Sequence, residues 1–305
     1  INLGAVIGAL LPLIMTWCGV SDAAVEGGVS RHIAYSYYIG GGILLLTVLV
    51  TAFKVKEYPP AEFAMYNGSE ETAVEEKKPG FITLMKNIPS TMLQLGVTQF
   101  FSWAALFLMW NYLKPLITSS FIDAAGTMVN TGAAETWTGV LNAVYPVPAC
   151  IASIFMTQIA NRFGNKPVYA ACLLSGALGY LGLTLIDNQY LMMIPMVFIG
   201  IAWAGILAMP YSILSRAIDA RSSGAYMGIF NFTITIPQIV MGLVGGSIVL
   251  AVKNAILSGS DYAALSAVEK VTVDSQAATW MIGIAALFML LAAISVFFVK
   301  EKETK

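Results

Sequence analysis

Charge is what this chain has least of. Asp, Glu, Lys and Arg make up 11% of its 305 residues, against 58% apolar, where a soluble domain carries roughly a quarter charged residues. With 16 basic and 17 acidic groups, a chain this long cannot cover a solvated surface, which excludes ordinary soluble enzymes, nucleic-acid binders and disordered proteins. The net charge of -1 offers no basic footprint to a polyanion. Histidine occurs once, at His32, and the three cysteines, Cys18, Cys150 and Cys172, all lie in apolar runs. Neither a disulfide framework nor a Cys/His metal cluster follows from them. HExxH, GxSxG and Walker motifs are missing too, so the chain does not read as an enzyme, and no cofactor or metal is expected.

What is present is long apolar sequence, with a mean hydropathy of +0.76. About 20 such residues cross about 30 Å of hydrocarbon, and eight runs qualify: 1–19, 34–53, 91–113, 139–159, 168–186, 191–214, 225–252 and 279–299. Basic residues alternate across them. Lys54, Lys56, Lys77, Lys78, Lys86, Arg162, Lys166, Arg216, Arg221, Lys300, Lys302 and Lys305, twelve of the sixteen, fall on one side; Arg31, Lys114, Lys253 and Lys270 fall on the other. The positive-inside rule makes the first side, with the C-terminus, cytoplasmic.

A polar stretch divides the spans. Residues 54–90 hold Pro59, Pro60, the cluster Glu70, Glu71, Glu75 and Glu76, and Pro79. They read as a solvated linker with one short helix, its Gly80–Ser90 end lying along the membrane surface. The expected organisation is residues 1–53 as two spans, 54–90 as cytoplasmic linker, 91–299 as a six-helix bundle and 300–305 as a tail. Two spans, a long linker and six spans fit a six-plus-six transporter whose first four helices are absent; such folds are built from three-helix repeats. Asn67-Gly68-Ser69 is a glycosylation sequon on the expected cytoplasmic side, where it would not be used. The outward loops, about 114–138 and 253–278, have the Ala, Ser and Thr content of short surface helices.

Polar residues within the spans are the candidate site. Recognition of a polar solute takes hydrogen-bonding groups beside flat apolar faces near the bilayer midplane. Gln99, Trp103 and Asn111 supply both in the third run, and Gln99 and Trp103 share a helix face. Asn142 and Tyr145 add to them from the fourth run, Trp203 from the sixth, and Asn231 and Gln238, two turns apart, from the seventh. Any one amide reads more readily as a bridge between helices, and the group together as a binding site. The small residues Gly200, Ala202, Ala204, Gly205 and Ala208 allow close helix approach, and Pro210 and Pro237 are candidate hinges or static kinks. No ionisable group lies deep in any span, although proton-coupled carriers usually keep one.

Two blocks carry a resemblance. Thr157-Gln158-Ile159-Ala160-Asn161-Arg162-Phe163-Gly164-Asn165-Lys166-Pro167 resembles the cytoplasmic signature loop of the major facilitator superfamily, Gly-x-x-x-Asp-Arg-x-Gly-Arg-Lys. Arg162, Gly164 and Lys166 match; Asn161 replaces the family's Asp and Thr157 its first Gly. The segments 200–211 and 224–239, with Phe101-Ser102-Trp103, are similar to the sucrose–proton symporter branch, close to the glycoside–pentoside–hexuronide transporters. The resemblance implies an all-α membrane carrier that moves a glycoside such as a disaccharide with protons by alternating access. It further implies coupling residues in the N-terminal half, gating at the Asn161–Lys166 loop, and a monomer in the plasma (bacterial inner) membrane. An uncoupled facilitator, or a carrier of another solute on the same fold, is the alternative.

Overall fold

The computed structural model describes residues 2–21, 29–56, 58, 62, 80–218 and 223–300. The sequon, the acidic cluster Glu70–Glu76, Lys77, Lys78, Arg221 and the tail 301–305 lie outside the described residues. The described residues are helical: α1 (Asn2–Trp17), α2 (Arg31–Lys54), α3 (Phe81–Lys86), α4 (Ser90–Thr118), α5 (Thr131–Val144), α6 (Pro146–Phe163), α7 (Asn165–Leu185), α8 (Met193–Ser215), α9 (Ser223–Phe230), α10 (Phe232–Leu257) and α11 (Ala267–Val296). The one β feature among them is an isolated bridge between Ile122 and Val129.

Counting α5–α6 and α9–α10 as broken single rods, seven helices among the described residues are long and apolar enough to span a bilayer. The first expected span forms a helix of 16 residues, which rises about 24 Å and so falls short of the other seven. The chain divides into two compact units, Met15–Asn87, and Ile1–Ile14 with Ile88–Lys305. In the smaller unit, α2 leaves Tyr37, Ile43, Leu44, Leu46 and Phe53 exposed, as a helix does when lipid is its solvent. The short helix α3 occupies the stretch expected to lie along the membrane surface.

In the larger unit α11 packs against α4 and α7, α7 against α8, and α8 against α6, while α10 lies along α4. Without a hydrophobic force between helices in lipid, side-chain hydrogen bonds and close backbones must hold this together. Thr91 Oγ1 donates to the Lys300 carbonyl at 2.7 Å, Thr98 and Ser295 hydroxyls meet at 2.7 Å, and Ser275 Oγ donates to the Leu116 carbonyl at 2.8 Å. These bonds join α4 to α11 and the segment that follows it along their full length. Glycines bring α7 and α8 together: a Cβ at Gly205 would stand 2.5 Å from that of Cys172, and one at Gly176 2.6 Å from that of Ala202.

The helices overrun the expected spans at their outer ends. Asn130 caps α5 by accepting from the Ala133 amide at 3.0 Å. Ser266 and Glu269 form a reciprocal capping box that starts α11 at Ala267, a dozen residues before the expected boundary at 279. Each outward loop therefore shrinks to a short connection with a single 3-10 turn, Ser119–Phe121 or Tyr262–Ala264. Between them, Asp123 folds its own loop by accepting from the Thr127 amide at 2.7 Å and the Met128 amide at 3.0 Å.

Candidate substrate site

The long rod from Thr131 to Phe163 breaks at Tyr145, where Pro146 and Pro148 follow and remove two backbone donors. That break is where α8 approaches most closely. A Cβ on Gly200 would collide with the Tyr145 carbonyl and the Pro148 ring, so only glycine fits. One turn further along α8, Trp203 thereby reaches Tyr145, with ring centroids 6.0 Å apart.

Trp203 is the centre of an aromatic cluster. Trp103 and Trp110, both on α4, approach its ring edge-to-face at 5.8 and 6.0 Å, and each other at 6.4 Å. Trp103 is 6% exposed, while Trp110 keeps 37% of its surface open. The ring available for stacking in this conformation is thus Trp110, with Trp103 behind it.

One turn from Trp103, Gln99 is fully buried. Its Oε1 accepts from Tyr169 Oη on α7 at 3.2 Å and from Ser102 Oγ at 3.3 Å. The carbonyl end is thereby fixed and the amide nitrogen left without a partner; Trp103 Nε1 and Asn142 Oδ1 are likewise buried and unpaired. A buried polar group without a partner costs about 1–3 kcal/mol, and two such donors lie beside a cluster of indoles.

The structure brings together Gln99, Trp103, Tyr145 and Trp203 among the residues singled out from sequence. Asn142 keeps a buried, unpartnered Oδ1 on α5, and the other three bond locally. Asn111 is exposed and its Nδ2 donates to the Phe107 carbonyl of its own helix at 2.7 Å. Asn231 is the single turn residue between α9 and α10 and accepts from Tyr211 Oη at 3.4 Å. Gln238 Nε2 donates to the Ile234 carbonyl one turn back, at 3.1 Å. Missed in the sequence were Trp110, Ser102 and Tyr169. Trp110 carried a signal, being seven residues from Trp103 and so on the same face; Tyr169, 70 residues from Gln99, carried none.

The remaining candidates sit apart from the cluster. Pro210 is buried inside α8 and Pro237 inside α10. Asn161 and Arg162 end α6, and Gly164, the whole connection to α7, has φ of +89°, a conformation that requires glycine there. Lys166 lies in the first turn of α7.

No curated protein compared with the chain matches it. A comparison with known families matches residues 95–305 to the Major Facilitator Superfamily.

Proposed function

The chain belongs to the Major Facilitator Superfamily and is an integral membrane transporter; from that premise we propose that its solute is a glycoside, such as a disaccharide, carried with protons. The observation that supports this is the pairing of unpartnered buried donors, Gln99 Nε2 and Trp103 Nε1, with the indole rings of Trp110 and Trp203. A pyranose presents both hydroxyl acceptors and a flat face of C–H groups, and this arrangement meets both at once.

In this reading sugar enters beside Trp110, stacks on its open face, and takes the two N–H donors as the bundle loosens around Trp103. Tyr169 and Ser102 act through Gln99 by holding its amide in one orientation. Alternating access rocks the bundle against its partner helices, with Pro210 and Pro237 as the flexible points and the turn at Asn161, Arg162, Gly164 and Lys166 on the cytoplasmic side. Asn111, Asn142, Asn231 and Gln238 join the solute only if that motion turns them toward it. Protons are coupled by groups other than those of the cluster, which holds no Asp, Glu or His. The protein works as a monomer in the plasma membrane with its C-terminus cytoplasmic.

The test is a titration of the purified protein with sucrose, maltose and trehalose, read by tryptophan emission. One sugar is expected to change the emission saturably. Gln99→Ala and Trp103→Phe, which keeps the ring and removes the donor, are each expected to weaken binding about tenfold, the worth of one buried hydrogen bond. No response to any saccharide, or unchanged affinity in both variants, would remove this site assignment.

A further inference from the structure

Between α6, α7 and α8 lies a groove of about 560 Å³. Its lining is apolar, including Phe155, Met156, Ile159, Phe163, Val168 and Ile201, and Phe155, Ile159 and Phe163 remain 43–60% exposed. It follows α6 from Ala152 to Phe163, about 16 Å of helix, which is about half of a hydrocarbon core about 30 Å thick. It ends at Phe163 and Pro167, the two residues that bracket the Gly164 turn.

That end is positively charged. Arg162 and Lys166 stand next to Phe163 and Pro167, and the Arg162 guanidinium lies over the Phe163 ring, 5.3 Å from its centroid. From Thr136 to Ile186 the sequence has no Asp or Glu. Among the described residues neither cation pairs with a carboxylate. The first amides of α7 emerge at the same point, adding the positive end of a helix dipole. Asn161 places a neutral amide, not a carboxylate, beside Arg162.

We propose that this groove binds one anionic phospholipid, with an acyl chain along α6 and the phosphate at Arg162, Lys166 and the α7 N-terminus. A groove of half-membrane depth that opens sideways into hydrocarbon is filled by a lipid chain, and the two cations at its headgroup end choose the sign of the headgroup. The bound lipid covers the connection between α6 and α7 and props α8 through Ile201, two residues from Trp203. The inference concerns the outer face of the bundle and stands whatever solute the transporter carries.

The test equilibrates the purified full chain with mixed micelles of phosphatidylglycerol and phosphatidylcholine in equal amounts and counts the lipids retained by native mass spectrometry. The wild-type protein is expected to retain one phosphatidylglycerol in preference to phosphatidylcholine. R162Q together with K166Q lowers that preference roughly fivefold per charge removed, while K300Q, a cation away from the groove, leaves it unchanged. A171W, which fills the groove wall, abolishes retention of both lipids, with helix content by circular dichroism checking that each variant is folded. Equal retention of the two lipids by the wild type would overturn the proposal. So would an undiminished preference in the double variant, or undiminished retention in folded A171W.

Discussion

At the scale of single residues, the site depends on what is left unpaired and on what is kept small. Gln99 is oriented by Tyr169 and Ser102, so its free N–H has a direction without any ligand. Gly200 decides where Trp203 stands, because α8 rests on the Tyr145 carbonyl at a point with no room for a methyl group. Gly200→Ala is expected to lower stability by about 1–3 kcal/mol, read as a fall in Tm, and to shift tryptophan emission as Trp203 leaves Tyr145. Asp123 gives a pH-dependent prediction. The amides of Met128 and Thr127 and the Thr127 hydroxyl stabilise its carboxylate and hold its pKa below the usual range. A carboxyl depressed in the folded state contributes stability above its unfolded pKa of about 4 and loses it as pH falls through the folded value. Hydrogen exchange at the Thr127 and Met128 amides, corrected for intrinsic rate, is expected to speed up on acidification below about pH 4, and Asp123→Asn to remove that dependence.

At the scale of elements, the two broken rods set how neighbouring helices meet. The break at Tyr145 seats α8, and the break at Asn231 is bridged by the Tyr211 hydroxyl beside Pro210. Hydropathy located both rods because lipid imposes one long apolar signal on each, but a one-residue break leaves that signal intact. The proline pair after Tyr145 could be read as a break from sequence; the one at Asn231 could not, since Pro237 lies well inside α10. The outer helix ends were legible in Asn130 and in the Ser266–Glu269 pair, and a reading by hydropathy alone passes over them because capped turns are polar. Near the same end, Lys253 of α10 and Asp274 of α11 form an ion pair at 2.6 Å, and Tyr262 donates to both oxygens of Asp274 at 2.9 and 3.0 Å. The pair is partly exposed, so its worth is about 1 kcal/mol. Asp274→Asn is expected to lower Tm by a few degrees, and the exchange of both residues, K253D with D274K, to recover part of the loss.

At the scale of the whole molecule, composition alone pointed to a membrane, and span counting expected eight spans, of which seven form helices long and apolar enough to cross while the first forms a shorter one. The packing order of α4, α11, α7, α8 and α6 was not legible, because it is set by glycines and hydroxyls whose partners lie up to 209 residues away. The same holds for the cluster: four of its members were visible as polar or aromatic residues in spans, while their convergence, and the seating of Gln99 on Tyr169, exists only in the folded bundle.

The central claim, that those indoles and donors serve a glycoside moved with protons, is tested most directly by transport. The full-length protein in proteoliposomes, with a pH-sensitive dye outside and no imposed gradient, would be offered labelled sucrose, maltose, trehalose and monosaccharides in turn. The account predicts that one disaccharide enters and that the outside medium becomes alkaline as it does so. Entry without a pH change would contradict the proton coupling, and failure of every saccharide to enter would contradict the glycoside reading itself.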